Sequence, residues 1–323
     1  MSLVLDKEVN FLMLSTFLAT LGVVFTMIIY AVPGFLLVKT KLVAENSISA
    51  FARLLMFVCS PCLVFSSITR NNFSLELALN LLISIVFISA MLLLGLAIFF
   101  FVFKRKKDDV KYRIYNLATT FANCAFMGVP VLEVVFPNNP QVIAYSAMFS
   151  LAMNIIGWTL GSYIISNDRK YMSVKKIFLN PATIAFFVSI PFFVFGIQTP
   201  SLLKEMIILL GKMTTPLCML IMGMRLACVS IKEVFFTPSQ YLIIAIKQIL
   251  FPLIVLLVLL IMPFDSEMKA AIYIMMSCPV ASVILSLSEM IGEGQKNAAN
   301  LVLLGTSLSV ITIPVMSLLV GIL

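Results

Sequence analysis

The feature that most constrains this chain is the length of its apolar runs. Ten stretches, at about 11–38, 47–69, 75–103, 114–135, 142–166, 178–198, 201–226, 236–262, 268–291 and 298–322, are each about twenty residues or longer. That is the number a helix needs to cross a hydrocarbon layer roughly 30 Å thick. Backbone in lipid has no water to bond to, so runs of this length satisfy their amides and carbonyls as helices. The composition agrees, since with 62% apolar and 11% charged residues the 323-residue chain has too little polar surface for a soluble domain. The expectation is an all-α, multi-pass integral membrane protein of ten helices. Arg53 and Lys212 interrupt the second and seventh runs. The start, Met1 to Asn10, carries Asp6 and Glu8 rather than a basic leader, and the run behind it is too long for a signal core.

The net charge of +8 would suggest nucleic acid in a soluble chain, but here the charges fall between the runs. With the N-terminus placed outside and the loops alternating, fifteen Lys and Arg face inward. They are Lys39, Lys41, Lys104, Arg105, Lys106, Lys107, Lys111, Arg113, Arg169, Lys170, Lys175, Lys176, Arg225, Lys232 and Lys296. Four (Lys7, Arg70, Lys204 and Lys269) face outward. This positive-inside bias predicts both termini outside the cell membrane and accounts for the basic loop at 104–113 without a nucleic-acid partner. Membrane lipids are the expected surroundings.

A split after the fifth run gives 1–166 as the first five helices, 167–177 as a basic cytoplasmic linker and 178–323 as the second five. An odd number of helices per half inverts the second half. Internal likeness supports the split. Ser60-Pro61-Cys62-Leu63-Val64-Phe65 reaches Arg70 nine residues after its proline, and Thr215-Pro216-Leu217-Cys218-Met219-Leu220 reaches Arg225 nine after its own. Pro130 in the fourth run is matched by Pro279 in the ninth; the proline offsets are 216 − 61 = 155 and 279 − 130 = 149 residues. Inverted repeats of this kind are a common plan of secondary transporters.

The fourth run reads Phe121-Ala122-Asn123-Cys124-Ala125-Phe126-Met127-Gly128-Val129-Pro130. Pro130 supplies no backbone donor and clashes with the carbonyl of Phe126, so with Gly128 it predicts a helix break at that point. Ser277-Cys278-Pro279 predicts a second break in the ninth run, with the Met275 carbonyl left seeking a partner. Broken backbone at membrane depth is tolerated where it lines a cavity, and half-helix N-termini there favour an anion. The Asn123 amide and the Ser277 hydroxyl would then meet a carboxylate. Two charged residues keep two readings each. Lys247 either snorkels to the inner interface or faces the cavity and draws an anion; Glu133 either sits at the outer interface or binds a cation or proton.

The stretch Asn123 to Pro130, with Asn180-Pro181, Pro216 to Gly223, Cys278-Pro279-Val280-Ala281 and Thr306 to Pro314, resembles the auxin efflux carrier family. That family includes bacterial malate and malonate permeases and is similar to the plant auxin exporters. The resemblance spans the chain. It implies two inverted five-helix repeats in a bile-acid-symporter-like fold, with helices 1, 2, 6 and 7 as a scaffold and helices 3–5 and 8–10 as a moving transport domain. Helices 4 and 9 would cross at their breaks, bringing Asn123, Gly128, Pro130, Ser277, Cys278 and Pro279 to the substrate. The long hydrophilic loop of some plant members is missing, since only Asn167 to Ile177 joins the halves.

The resulting expectation is a secondary transporter of small organic anions working by alternating access. A membrane receptor that senses a metabolite or lipid through the same cavity is the alternative. An enzyme is not expected: the chain has no His and no close pair of membrane-embedded carboxylates, and no phosphate-binding Gly-rich loop suggests a nucleotide. No cofactor or metal is implied. The coupling ion, proton or sodium, is open, as is assembly into a homodimer.

Overall fold

The computed structural model describes residues 2–323, with side chains from Leu14 onward; the acidic start with Asp6, Lys7 and Glu8 lies outside the residues whose side chains are described. The principal helices are α1 (Leu14–Lys39), α2 (Glu45–Thr69), α3 (Leu75–Lys106), α4 (Val110–Ala118), α5 (Cys124–Val135), α6 (Pro140–Ser166), α7 (Arg169–Phe195), α8 (Ser201–Cys228), α9 (Pro238–Ile261), α10 (Ser266–Ser277), α11 (Val283–Ile291) and α12 (Gln295–Ile322). Among the described residues there is no strand, only an isolated antiparallel bridge between Ala122 and Val280. Eight of these helices are long and apolar enough to cross a membrane. They coincide with eight of the ten apolar runs. The fourth and ninth runs are the exceptions, each divided into two short helices, α4 with α5 and α10 with α11.

Local chemistry sets the boundaries. Ser74 accepts from the Leu77 amide at 3.1 Å and opens α3. Asn180 accepts from the Ala182 amide at 2.9 Å ahead of Pro181, and Gly196 closes the same helix with φ 62°. Three spans contain a π turn that ends two residues before a proline: Leu55–Cys59 before Pro61, Cys124–Gly128 before Pro130, and Ile246–Leu250 before Pro252. A proline removes one i→i−4 bond and crowds the carbonyl four residues back. Widening the preceding turn relieves the clash without ending the helix.

This overturns the expected position of the first break. Pro130 sits in the first turn of regular helix that follows the π turn, not in the break. The unwound stretch is Thr119 to Asn123, upstream of it. The second break falls where Pro279 predicts, between Ser277 and Val283.

α1 packs against α8 and α12, α2 against α7 and α8, and α6 against α3 and α10. The approach of α1 to α8 is close. A Cβ at Gly34 would collide with the carbonyl of Leu220, and one at Gly223 with the carbonyl of Ala31. Backbone-to-backbone contact of this kind is how helices gain dispersion energy when lipid offers no hydrophobic drive. Phe65 on α2 meets Phe192 on α7 edge to face, with ring centroids 5.2 Å apart.

Candidate functional site

The two unwound segments lie side by side and bond to each other. The Asn123 amide donates to the Pro279 carbonyl at 2.8 Å, and the Ala281 amide donates to the Phe121 carbonyl at 3.1 Å. Each break thus satisfies part of the other's freed backbone, which is what hydrocarbon depth demands. Gly128 fits against the second segment: a Cβ there would stand 3.4 Å from the Cys278 sulfur and 3.5 Å from Met275. Cys124, Asn123, Ser277 and Cys278 are all buried.

Two cavities are stacked along the helices that pass the crossing. The first, about 140 Å³, is lined by Asn123 to Phe126, by Ala281 to Val283, by Ser60 on α2 and by Cys218 and Arg225 on α8. It shares Ala52, Met56, Trp158, Arg225 and Ser286 with a wider vestibule of about 720 Å³. The second cavity, about 320 Å³, touches the other ends of the same helices: Val129, Pro130 and Glu133 on α5, Ser66 on α2 with Arg70 just past its end, and Lys212 and Thr215 on α8. Between them the Thr215 hydroxyl donates to the Phe126 carbonyl at 3.0 Å. That carbonyl is the one Pro130 deprives of its helical donor.

Two residues lining the first cavity, Asn123 and Trp158, carry a buried side-chain N–H without a partner, and of the two Asn123 lies at the crossing itself. It is 3% exposed, and its side-chain Nδ2 has no hydrogen-bond partner within the protein. A buried, unpartnered amide donor is costly. Asn123 lines the first cavity, which puts this unpartnered donor at the cavity wall.

The other sequence-predicted site residues divide. Gly128, Cys278 and Pro279 lie at the crossing. Ser277 turns back on its own helix, donating to the Tyr273 carbonyl at 2.9 Å. Pro130 and Glu133 line the second cavity, and Glu133 faces Arg70 at 3.8 Å. Lys247 fits neither reading made for it. It does not snorkel and lines neither cavity; fully buried in the π turn of α9, it donates to the Met276 carbonyl at 2.7 Å. The Met275 carbonyl is met by the Cys278 amide at 3.2 Å.

Sequence reasoning missed Arg225 as a site residue, treating it as a loop cation. Its guanidinium pairs with Glu289 at 2.5 Å in the passage between the first cavity and the vestibule. Arg70, nine residues after Pro61 as Arg225 is after Pro216, pairs with Glu133 at the other cavity. The shared nine-residue spacing from a proline was the available signal.

The family model described as membrane transport protein matches residues 19–175 and 169–317. The chain belongs to the membrane transport protein family. It is therefore a multi-pass membrane transporter, in a family that includes the auxin efflux carriers. The two matched segments overlap at residues 169–175. No curated protein matches this transporter in a direct sequence comparison.

Proposed function

We propose that this transporter is a secondary carrier of small organic anions, carboxylates such as malate, malonate or auxin-like acids, working by alternating access. The observation that carries the reading is the unpartnered amide of Asn123, buried beside two bonded helix breaks and facing a cavity. A carboxylate oxygen is the acceptor such a donor suits, and α11 opens beside it with the positive end of its dipole. The first cavity, at about 140 Å³, is below the roughly 300–1,000 Å³ typical of drug-sized ligands. A short acid suits it better than a large one.

In this reading the chain is ten transmembrane helices in two inverted repeats, 1–166 and 178–323, the fourth and ninth helices being the broken ones. α1, α2, α7 and α8 form a scaffold, and the remaining helices form the moving part. The stacking of two cavities on opposite ends of α2, α5 and α8 supports this, because only a thin layer at Phe126 and Thr215 separates them. With the positive-inside orientation, the first cavity and its vestibule face the cytoplasm and both termini lie outside. Single cysteines at Lys106 and Arg169 should then resist impermeant reagents in intact cells while one at Asn139 reacts.

Counterflow in reconstituted vesicles, across a panel of labelled mono- and dicarboxylates, tests the function. Saturable exchange of at least one acid is expected. Binding without flux would favour a receptor, and chemical change of the acid an enzyme; either result removes the carrier reading.

A further inference from the structure

Lys247 is the one fully buried cation among the described residues, and neither the fold nor the anion site above uses it. Its side chain makes one hydrogen bond, to Met276, and no ion pair; the ion pairs of the described residues all lie elsewhere. The Phe251 ring lies 5.9 Å from its ammonium, and the titratable groups facing it are the thiols of Cys124 and Cys278, one from each broken run. An ammonium at this depth is costly unless something compensates it. What compensates it here is the end of a helix. Met276 is the penultimate residue of α10, so its carbonyl belongs to the negative end of that helix's dipole.

That end is a problem for an anion carrier. An anion at the crossing is attracted by the opening of α11 but repelled by the closing carbonyls of α10, which stop at the same break. A cation behind the crossing removes the repulsion. In many carriers a loosely bound ion could supply that charge, whereas here it is attached to the chain by four methylenes.

We propose that Lys247 is a resident cation of the crossing: a positioning residue that holds the end of α10 and takes the electrostatic place of a bound coupling cation for the anion in front of it. The inference rests on the anion-carrier reading for its second half; the capping of α10 stands apart from it. It predicts a carrier whose anion transport needs no alkali metal ion.

The test uses the full chain in liposomes, with labelled acetate, malonate and succinate as probes. The parent should exchange its acid equally well when sodium and potassium are replaced by choline. Lys247→Met, which keeps volume and loses charge, should exchange tenfold or more slowly, and Lys247→Arg should retain much of the parent rate. In detergent without any carboxylate, n-propylammonium should raise the thermal midpoint of Lys247→Ala, and n-propanol should not. Parental exchange by Lys247→Met, or a sodium requirement in the parent, overturns the proposal. If the parent moves none of the acids, the carrier reading fails, and the alkylammonium arm still decides the cap: no protection overturns it too. Should Lys247→Ala not fold, the Met and Arg variants decide.

Discussion

The two helix breaks are matched in sequence position and bonded to one another, yet they are finished by different chemistry. At the first, α4 is followed by Thr119 and Thr120, whose hydroxyls both turn back to the Asn116 carbonyl, and the Thr119, Thr120 and Phe121 amides bond back to Tyr115 and Leu117. No charge is involved. At the second, the closing carbonyl of α10 is held by the buried ammonium of Lys247. The first break also keeps the unpartnered Asn123 amide, whereas the hydroxyl of Ser277 at the second is consumed by its own helix. In the reading proposed above, one break receives a hydrogen-bond acceptor and the other manages charge, so two breaks bonded to one another need not divide the work evenly.

Reversing the sign at the second break should have the largest effect. Lys247→Glu would put a carboxylate against carbonyls that already carry partial negative charge, leaving a buried unpaired ion worth about 3–5 kcal/mol of destabilisation. A large fall in thermal midpoint and no recoverable transport are expected. A stable, active Lys247→Glu protein would show that the second break is not tuned by charge.

The prolines should separate next. Pro279 lies in unwound chain, so Pro279→Ala lets a helix extend into the crossing and should cut transport tenfold or more with little loss of expression. Pro130 lies inside α5, where alanine fits a helix already formed, so Pro130→Ala should cost less. Equal losses at both positions would return the first break to Pro130.

The fate of Pro130 shows how far the sequence could be read. Eight spans were legible because a twenty-residue apolar run has few alternatives in a bilayer; 47–69 became Glu45–Thr69 and 201–226 became Ser201–Cys228. The break at Pro279 was legible for the same local reason that misled at Pro130. Proline both breaks helices and begins them, and the residues around it do not say which. The true first break, Thr119-Thr120-Phe121-Ala122-Asn123, contains neither Pro nor Gly. Its available signal was the pair of threonines, whose hydroxyls compete for backbone carbonyls, ahead of an asparagine suited to a helix start. Lys247 was not legible, because its partner lies 29 residues away and snorkelling is a property of surroundings that a sequence does not display.

A smaller effect is expected where α5 meets α8. Thr215→Val removes the donor that the Phe126 carbonyl uses in place of its helical one. It should cost about 1 kcal/mol of stability, and it should change the rate of exchange more than the affinity, because it lies between the two cavities. An altered affinity with an unchanged rate would place Thr215 in the site rather than in the layer that divides it.

The central claim is that the Asn123 amide is a substrate donor. Equilibrium binding of the transported carboxylate to Asn123→Ala, measured beside its thermal midpoint, tests it most directly. Loss of one bond to a charged acceptor should weaken binding by about 1–3 kcal/mol, roughly thirtyfold at the middle of that range. The midpoint should hold or rise, since a buried donor without a partner has been removed. Parental affinity in Asn123→Ala, or a midpoint that falls as far as the affinity does, would contradict the account and make the crossing a structural joint only.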